Sequence, residues 1–158
     1  MLLLRTPSGS RLYNTQTRPD ADYDWYEVYE GKGRTTQTFK DEDDRVRMSL
    51  DNFLTRAGKG SPQALEAMWS GEAFIDNMPW RWNFHPNVAQ TVETYRRTIK
   101  SFWLSGDPKR MLHAHRLEYN LTDFLDSGRF NPTLTDSTVA LLRSMVEDNW
   151  APSCLREE

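Results

Sequence analysis

Two aspartates separated by one residue, Asp22 and Asp24, have the spacing of a pair that can bind a metal ion. Alternate side chains of a β-strand share a face, so both carboxylates would project on the same side of a sheet. Adjacent carboxylates repel each other, and a hard divalent cation relieves that repulsion. Mg²⁺ characteristically combines one or two protein carboxylates with phosphate oxygens of a substrate. The spacing therefore predicts binding of Mg²⁺, or of Mn²⁺ in its place, together with a phosphorylated ligand.

A Gly-Ser pair upstream gives the aspartates their context. In a chain with 13 aspartates, chance alone supplies about one Asp-x-Asp pair, so the pair carries weight only beside other signals. Gly9 lets the backbone approach an anion closely, Ser10 offers a hydroxyl and an N–H to a terminal phosphate, and Arg11 adds a charged donor. The sequence contains no GxxxxGK[ST] motif, so the predicted phosphate site is not a Walker loop.

The acidic run DEDD at positions 41–44 supplies candidates for a third carboxylate. If the strand after this run lies beside the strand that carries the aspartate pair, one of these acids completes a site for two metal ions about 3.5 to 4 Å apart. Two Mg²⁺ ions offset the charge of a triphosphate, and a nearby carboxylate accepts the proton of an attacking hydroxyl. Which acid takes part stays open, because a register change of one residue reverses the face of each side chain.

The first fifty residues predict a small sheet that positions these groups. Brief apolar and aromatic runs, bounded by Gly, Pro, Asp and Asn, are typical of short strands. They cover positions 2–4, 23–29, 35–39 and 45–48.

The residues from 49 onward have the period of helices instead. Helices are predicted over 50–57, from Ser61-Pro62 to Gly71, and around 88–102, 117–125 and 139–146.

Positions 74–86 have no period, and we expect an ordered loop in which Trp80, Trp82 and Phe84 fill the space beneath rather than stack on bases. Strands first and helices afterwards predict one α+β domain, with a sheet-bearing core at 1–71 and a helical part at 72–158.

Composition limits the classes of protein to consider. A length of 158 residues fits one domain, and a net charge of −3 argues against a protein that coats nucleic acid by bulk attraction. The single cysteine, Cys154, excludes an internal disulfide framework and suits the reducing cytoplasm. Because no apolar run approaches the length of a membrane span, we expect no membrane association.

Three stretches of the sequence resemble the DNA polymerase β-like nucleotidyltransferase superfamily, and within it the predicted RNA-repair-associated branch. GSRLYNTQTRPDADYD resembles the Gly-Ser plus Asp-x-Asp signature of that superfamily. DDRVRMSLDNFLTRAGKGSPQALEAMWS is similar to the strand and helix pair that follows the signature, and KRMLHAHRLEYNLTDFLDSGRFNP is similar to the C-terminal helix.

The resemblance implies a mixed sheet flanked by helices and a transfer of a nucleoside monophosphate from an NTP to an acceptor hydroxyl, with release of pyrophosphate. Asp22 and Asp24 would be metal ligands, with Asp44 as the favoured third carboxylate. Gly9 and Ser10 would lie at the nucleotide phosphates, and Arg11 and Lys59 are further candidates for phosphate contacts. RNA and protein both remain open as the acceptor.

Departures from the family pattern leave a second interpretation, a noncatalytic module that binds a nucleotide or a partner protein. Asn14 stands where the family usually has Gly, and Ser61 replaces the usual Asn before Pro62. Only eight residues precede Gly9, so a helix that is normally found upstream is expected to be absent or very short.

A basic segment supports a third interpretation, an RNA-binding domain. Between positions 96 and 116 six basic residues accompany a single acid, namely Arg96, Arg97, Lys100, Lys109, Arg110 and Arg116 beside Asp107. A basic surface of this kind attracts RNA or a triphosphate. An ordinary pair of solvated helices explains the same pattern.

Overall fold

The protein has an α+β fold in which a mixed sheet packs against helices. A computed structural model describes residues 1–17, 23–33, 36–40 and 44–156. The strands are β1 (Leu2–Ser8), β2 (Asp24–Tyr29), β3 (Thr36–Lys40), β4 (Asp44–Ser49) and β5 (Ile75–Asp76). The helices are α1 (Gly9–Tyr13), α2 (Leu50–Gly58), α3 (Pro62–Met68), α4 (Val88–Leu104), α5 (Pro108–Ser127), α6 (Asp136–Glu147) and α7 (Ser153–Arg156), with a 3₁₀ helix at Pro79–Asn83.

The order of strands in the sheet is β3-β4-β2-β1-β5. β1 is antiparallel to both β2 and β5, and β3 is antiparallel to β4. The two central strands, β2 and β4, are parallel, so both begin at the same end of the sheet. This arrangement brings the first residues of β2 and β4, Asp24 and Asp44, side by side.

One face of the sheet forms the main core together with α2 and α3. Leu4, Tyr26 and Val28 lie on this face and are at most 3% exposed. The ring of Tyr26 packs against Phe53 of α2 with 5.8 Å between centroids. Full burial of a large apolar side chain contributes about 1.5–3 kcal/mol, so this layer supplies much of the stability. Since side chains alternate along β2, Asp24 shares the face of Tyr26 and Val28.

Ser49 and Pro62 begin two of the helices, and Gly128 ends a third. Ser49 accepts a hydrogen bond from the Asn52 N–H at 3.2 Å and begins α2. Pro62 is the first residue of α3, where its missing N–H leaves no unpaired donor. Gly128 ends α5 with a φ of 88°, a conformation that favours glycine.

The segment predicted as an irregular loop has more structure than expected. It contributes β5, which pairs with β1, and the 3₁₀ helix. Its anchor is Arg81, whose guanidinium donates to Asp76 at 2.9 Å and to the Ser70 carbonyl at 2.6 Å. Trp80 and Trp82 are 42% and 37% exposed, so the prediction that these two rings fill the space beneath a loop is wrong.

No helix in the described ranges is both long and apolar enough to span a bilayer.

Candidate functional site

Asp24 and Asp44 lie side by side at the end of the sheet where β2 and β4 begin. Each is the first residue of its strand, and the parallel register pairs one with the other. Adjacent strands are about 4.8 Å apart, and paired residues project their side chains to the same face. Asp24 is half-buried and Asp44 is exposed. The structure therefore brings two of the predicted carboxylates together on the helix-covered face.

Gly9 lies directly against the carboxylate of Asp24. It has a φ of +64°, and a Cβ atom built on it would be only 2.7 Å from Asp24 Oδ2. Both the conformation and the contact require a residue without a side chain. The Gly-Ser pair and the second aspartate of the Asp-x-Asp pair thus meet in space, although 14 other residues separate Gly9 from Asp24 in the sequence.

Gly9→Ala tests this contact. We expect a loss of about 1–3 kcal/mol in the free energy of unfolding, because alanine at positive φ is strained and its methyl group displaces the Asp24 carboxylate. Urea denaturation measures the loss. Gly58→Ala is the matched control, because a Cβ there meets nothing within 4 Å. The control should leave stability unchanged or raise it by about 0.5–1 kcal/mol, and equal effects of both variants would contradict the contact.

The structure explains why an asparagine can stand at position 14, where the superfamily that the sequence resembles usually has glycine. Asn14 caps α1 in the left-handed conformation, with a φ of 66°, where Gly and Asn are the residues best tolerated. Its side-chain amide donates to the Leu134 carbonyl at 3.0 Å and to Asp136 Oδ1 at 2.7 Å. One residue later, the Thr15 carbonyl accepts a hydrogen bond from Arg143 at 3.0 Å. The asparagine keeps the backbone geometry of a glycine and adds a connection from α1 to α6.

A cavity of about 420 Å³, here called the α1–α5 cavity, opens beside Gly9. Its lining combines residues of α1, α3, α4 and α5, and includes Gly9, Tyr13, Ser61, Glu66, Thr98 and His113. The volume lies in the range of small-molecule sites, and the lining offers hydroxyl, carboxylate and imidazole groups. Ser61, which stands where the resembled superfamily usually has asparagine before the proline, therefore lines this cavity.

The inner wall of the α1–α5 cavity is a buried network of polar side chains. Tyr13 donates a hydrogen bond to Glu66 Oε1 at 2.5 Å, and Arg116 donates to Glu66 Oε2 at 2.6 Å. The Arg116 guanidinium also stacks on the Tyr13 ring, 3.6 Å from its centroid. All three residues are at most 6% exposed. The pairing satisfies the buried charges and holds α1, α3 and α5 in fixed positions.

His113 extends the network into the cavity as a neutral group. Arg116 Nε donates to His113 Nδ1 at 3.2 Å, so the proton of the neutral imidazole resides on Nε2. Burial, reinforced by the positive charges of Arg116 and Lys109, lowers the pKa of His113 from 6.5 to about 3. His113 is therefore a hydrogen-bond donor that keeps one protonation state over the physiological pH range.

The lowered pKa of His113 predicts a loss of stability in acid. Unfolded His113 binds a proton below about pH 6.5 while the folded protein does not, so unfolding becomes more favourable as pH falls from 6.5 towards 3. One such group contributes at most about 1.4 kcal/mol per pH unit. Burial lowers the pKa of His115 as well and adds in the same direction.

Urea denaturation at pH 7, 6, 5 and 4 measures this dependence. His113→Gln should remove part of the slope, whereas His85→Gln, at an exposed position, should leave it unchanged. An identical slope in wild type and His113→Gln would show that His113 is protonated in the folded protein.

A second cavity, the α1–α6 cavity of about 490 Å³, lies on the other side of α1. Its lining includes Ser10, Thr15, Thr17, Lys109, His113 and Arg143. The rest of the lining includes the apolar side chains of Pro108, Leu112 and Val146 and one carboxylate, Glu147. The two cavities share His113.

The remaining predicted residues are less closely grouped. The Arg11 guanidinium stacks on the Tyr23 ring at 4.4 Å. Lys59 is exposed at the C-terminal end of α2, and neither cavity includes it. Asp22 and the acids at 41–43 lie outside the described residues. Among the residues that the structure describes, no three of His, Cys, Asp and Glu form a group that could hold a metal ion.

One of the six residues of the basic segment is not on the surface. Arg116 is 4% exposed and serves the buried network, whereas Arg96, Arg97 and Lys100 are exposed on α4. Neither Tyr13 nor Glu66 was among the predicted site residues. The pattern that contains Glu66 is equally typical of an ordinary helix start, and its partners are 50 or more residues away.

No family model matches the sequence, and no curated protein is similar enough to it to count as a match. The function is therefore inferred from the residues around Gly9, Asp24 and Asp44.

Proposed function

We propose that the protein is a Mg²⁺-dependent nucleotidyltransferase with a sheet of the DNA polymerase β-like type. It would move a nucleoside monophosphate from an NTP to an acceptor hydroxyl and release pyrophosphate. The observation that carries the proposal is the pairing of Asp24 with Asp44 at the start of adjacent parallel strands, with Gly9 in contact with Asp24. The Gly-Ser pair at the start of α1 and the two adjacent carboxylates are the parts of the expected motif that support the proposal.

The donor groups fit a hard divalent cation. Asp24 and Asp44 offer carboxylate oxygens from neighbouring strands, and oxygen is the ligand that Mg²⁺ prefers. Asp22, the remaining predicted ligand, is two residues before Asp24 in the sequence. When bound, Mg²⁺ would neutralise charge on the triphosphate and on the leaving pyrophosphate.

The reaction assigns distinct roles to the residues of the chain. The acceptor hydroxyl oxygen attacks the α-phosphorus, the bond from that phosphorus to the bridging oxygen breaks, and pyrophosphate leaves with the bonding electrons. Asp44, which is exposed and beside Asp24, accepts the hydroxyl proton. Gly9 and Ser10 position the outer phosphates through their N–H groups and the serine hydroxyl.

The α1–α5 cavity would receive the nucleoside. It is adjacent to Gly9, and its wall is held by the Tyr13–Glu66–Arg116 network. The α1–α6 cavity, which contains Ser10, Lys109 and Arg143, suits the distal phosphates. We assign the activity to the cytoplasm, because the single cysteine suits a reducing compartment.

Incubation of the full chain with each α-³²P-labelled NTP tests the proposal. Reactions contain Mg²⁺ or Mn²⁺ and a mixture of RNA and protein acceptors, and label on an acceptor is followed together with pyrophosphate release. Transfer of label with matching pyrophosphate is the expected result. Binding of NTP without transfer under every condition would instead identify a noncatalytic nucleotide-binding module.

A further inference from the structure

The second face of the sheet carries arginines stacked on aromatic rings. We call it the arginine–aromatic face. Its members from the strands and adjoining segments are Arg5, Tyr23, Trp25, Tyr29, Phe39, Arg45, Arg47 and Phe74. Register and alternation place its strand residues opposite the face that contains Asp24 and Tyr26. Helices α2 and α3 pack on that other face.

Stacking divides the side chains of the arginine–aromatic face into two clusters, one around Trp25 and one around Phe39. The rings of Tyr23 and Trp25 stack in parallel, with 5.4 Å between centroids and 13° between planes. The Arg5 guanidinium lies 4.2 Å from the Trp25 centroid, and Phe74 meets the same ring edge-on at 4.9 Å. Phe39 lies beneath both Arg45 and Arg47, at 4.9 and 5.1 Å. The aromatic rings and guanidinium groups of this face are therefore held in fixed orientations by their contacts with one another.

A buried glutamate fixes two of these arginines. Glu27 is 2% exposed and forms ion pairs with Arg47 at 2.7 Å and Arg5 at 3.4 Å. Among the strand residues that the structure describes on this face, three arginines accompany this one carboxylate. The described strand residues of this face therefore carry more positive than negative charges, although the chain as a whole has a net charge of −3.

Several groups on the arginine–aromatic face are accessible, although the Trp25 ring beneath them is only 6% exposed. Phe74 is 69% exposed and Tyr23 is 38% exposed. The side chains of Arg5 and Arg47 keep about a third of their surface in solvent, at 34% and 30%. A flat, positively charged surface with accessible rings suits a ligand that offers both planar groups and negative charges.

We propose that the arginine–aromatic face binds single-stranded nucleic acid. Unstacked bases would stack on the exposed rings and on the guanidinium planes, and arginine N–H groups would donate to phosphates. A base stacked on an aromatic side chain contributes about 1–3 kcal/mol, and it tolerates any base sequence. A second copy of the chain is disfavoured as the occupant, because a symmetric contact would place arginines against arginines.

This inference does not depend on the proposed transfer reaction. The face points away from Asp24, and stacking needs neither Mg²⁺ nor NTP. Tyr23 nevertheless precedes Asp24 directly in the sequence, so the face begins next to the candidate site. Binding without transfer would leave this inference standing while removing the proposed function.

Fluorescence anisotropy with a fluorescein-labelled 12-nucleotide RNA of mixed sequence tests the inference, in EDTA and without NTP. We expect binding that weakens steeply with salt, and Arg45→Gln combined with Phe74→Ser should weaken it at least about 10-fold. The matched control is Arg156→Gln with Tyr119→Ser, which removes one exposed cation and one exposed ring from the helices. The control should bind like wild type.

Two further measurements keep the result interpretable. Arg45→Lys with Phe74→Tyr retains the positive charge and the aromatic ring. If Arg45→Gln with Phe74→Ser loses affinity because these groups are missing, and not because the protein is misfolded, this conservative variant should restore most of the affinity. The same RNA annealed to its complement should bind more weakly, because its bases are no longer available for stacking. Absence of binding, equal loss in the helix control, or a preference for the duplex would each overturn the proposal.

Discussion

Replacing Asp24 by Asn is expected to reduce nucleotidyl transfer at least about 100-fold. The amide keeps the size of the side chain and its place beside Gly9 and Asp44, but it removes the negative charge that a divalent cation requires. Initial rates of label transfer at saturating Mg²⁺ and NTP measure the effect. Asp22→Asn, at the other predicted ligand, should give a loss of similar size.

The Asp24→Asn effect must be separated from a loss of structure. Removing one of two adjacent carboxylates relieves repulsion, so the free energy of unfolding should change by less than about 1 kcal/mol. Asp126→Asn, an exposed aspartate on α5, is the matched control and should transfer at the wild-type rate. Full activity of Asp24→Asn would refute the assignment of this carboxylate to the reaction.

Replacing Arg116 by Met should destabilise the protein by about 3–5 kcal/mol. Methionine fills similar space but leaves Glu66, which is 2% exposed, with a buried charge that has lost its ion-pair partner. The Tyr13 ring also loses the guanidinium stacked on it. Urea denaturation at pH 7 measures the change. A loss below about 1 kcal/mol would show that water or another cation reaches Glu66.

A double variant separates charge from packing. Arg116→Met with Glu66→Gln removes both charges while the glutamine oxygen still accepts the hydrogen bond from Tyr13. We expect it to be clearly more stable than Arg116→Met alone, because no unpaired charge remains buried. Strict additivity of the two single substitutions would contradict a direct interaction between these side chains.

Local sequence patterns predicted strands β1 to β4 and the longer helices of the fold. The short aromatic and apolar runs marked β2, β3 and β4, and the 3.6-residue period marked α2 and α4, so the α+β class is confirmed. The parallel pairing of β2 with β4 has no local signature, because it is set by which strands the core brings together. The proximity of Asp24 and Asp44, which follows from this pairing, could therefore be predicted only on the condition that the two strands are neighbours.

The buried network shows why the rest of the site could not be predicted. Tyr13, Glu66 and Arg116 come from three separate helices, and each has an ordinary role when considered alone. Arg116 was grouped with exposed basic residues because spacing along a helix does not reveal a buried carboxylate opposite it. The α1 helix was missed for a similar reason, since five residues are too short for a periodic pattern.

The contacts of Asn14 couple the first turn of the fold to a helix that is synthesised much later. The turn that follows Ser10 is fastened to residues 120 and 122 positions later, and Arg143 reaches Thr15 across 128 positions. Because a chain leaves the ribosome from its amino end, this turn gains these connections only after α6 has been synthesised. Nascent chains that stop before α6 should therefore lack them, however complete their strands are.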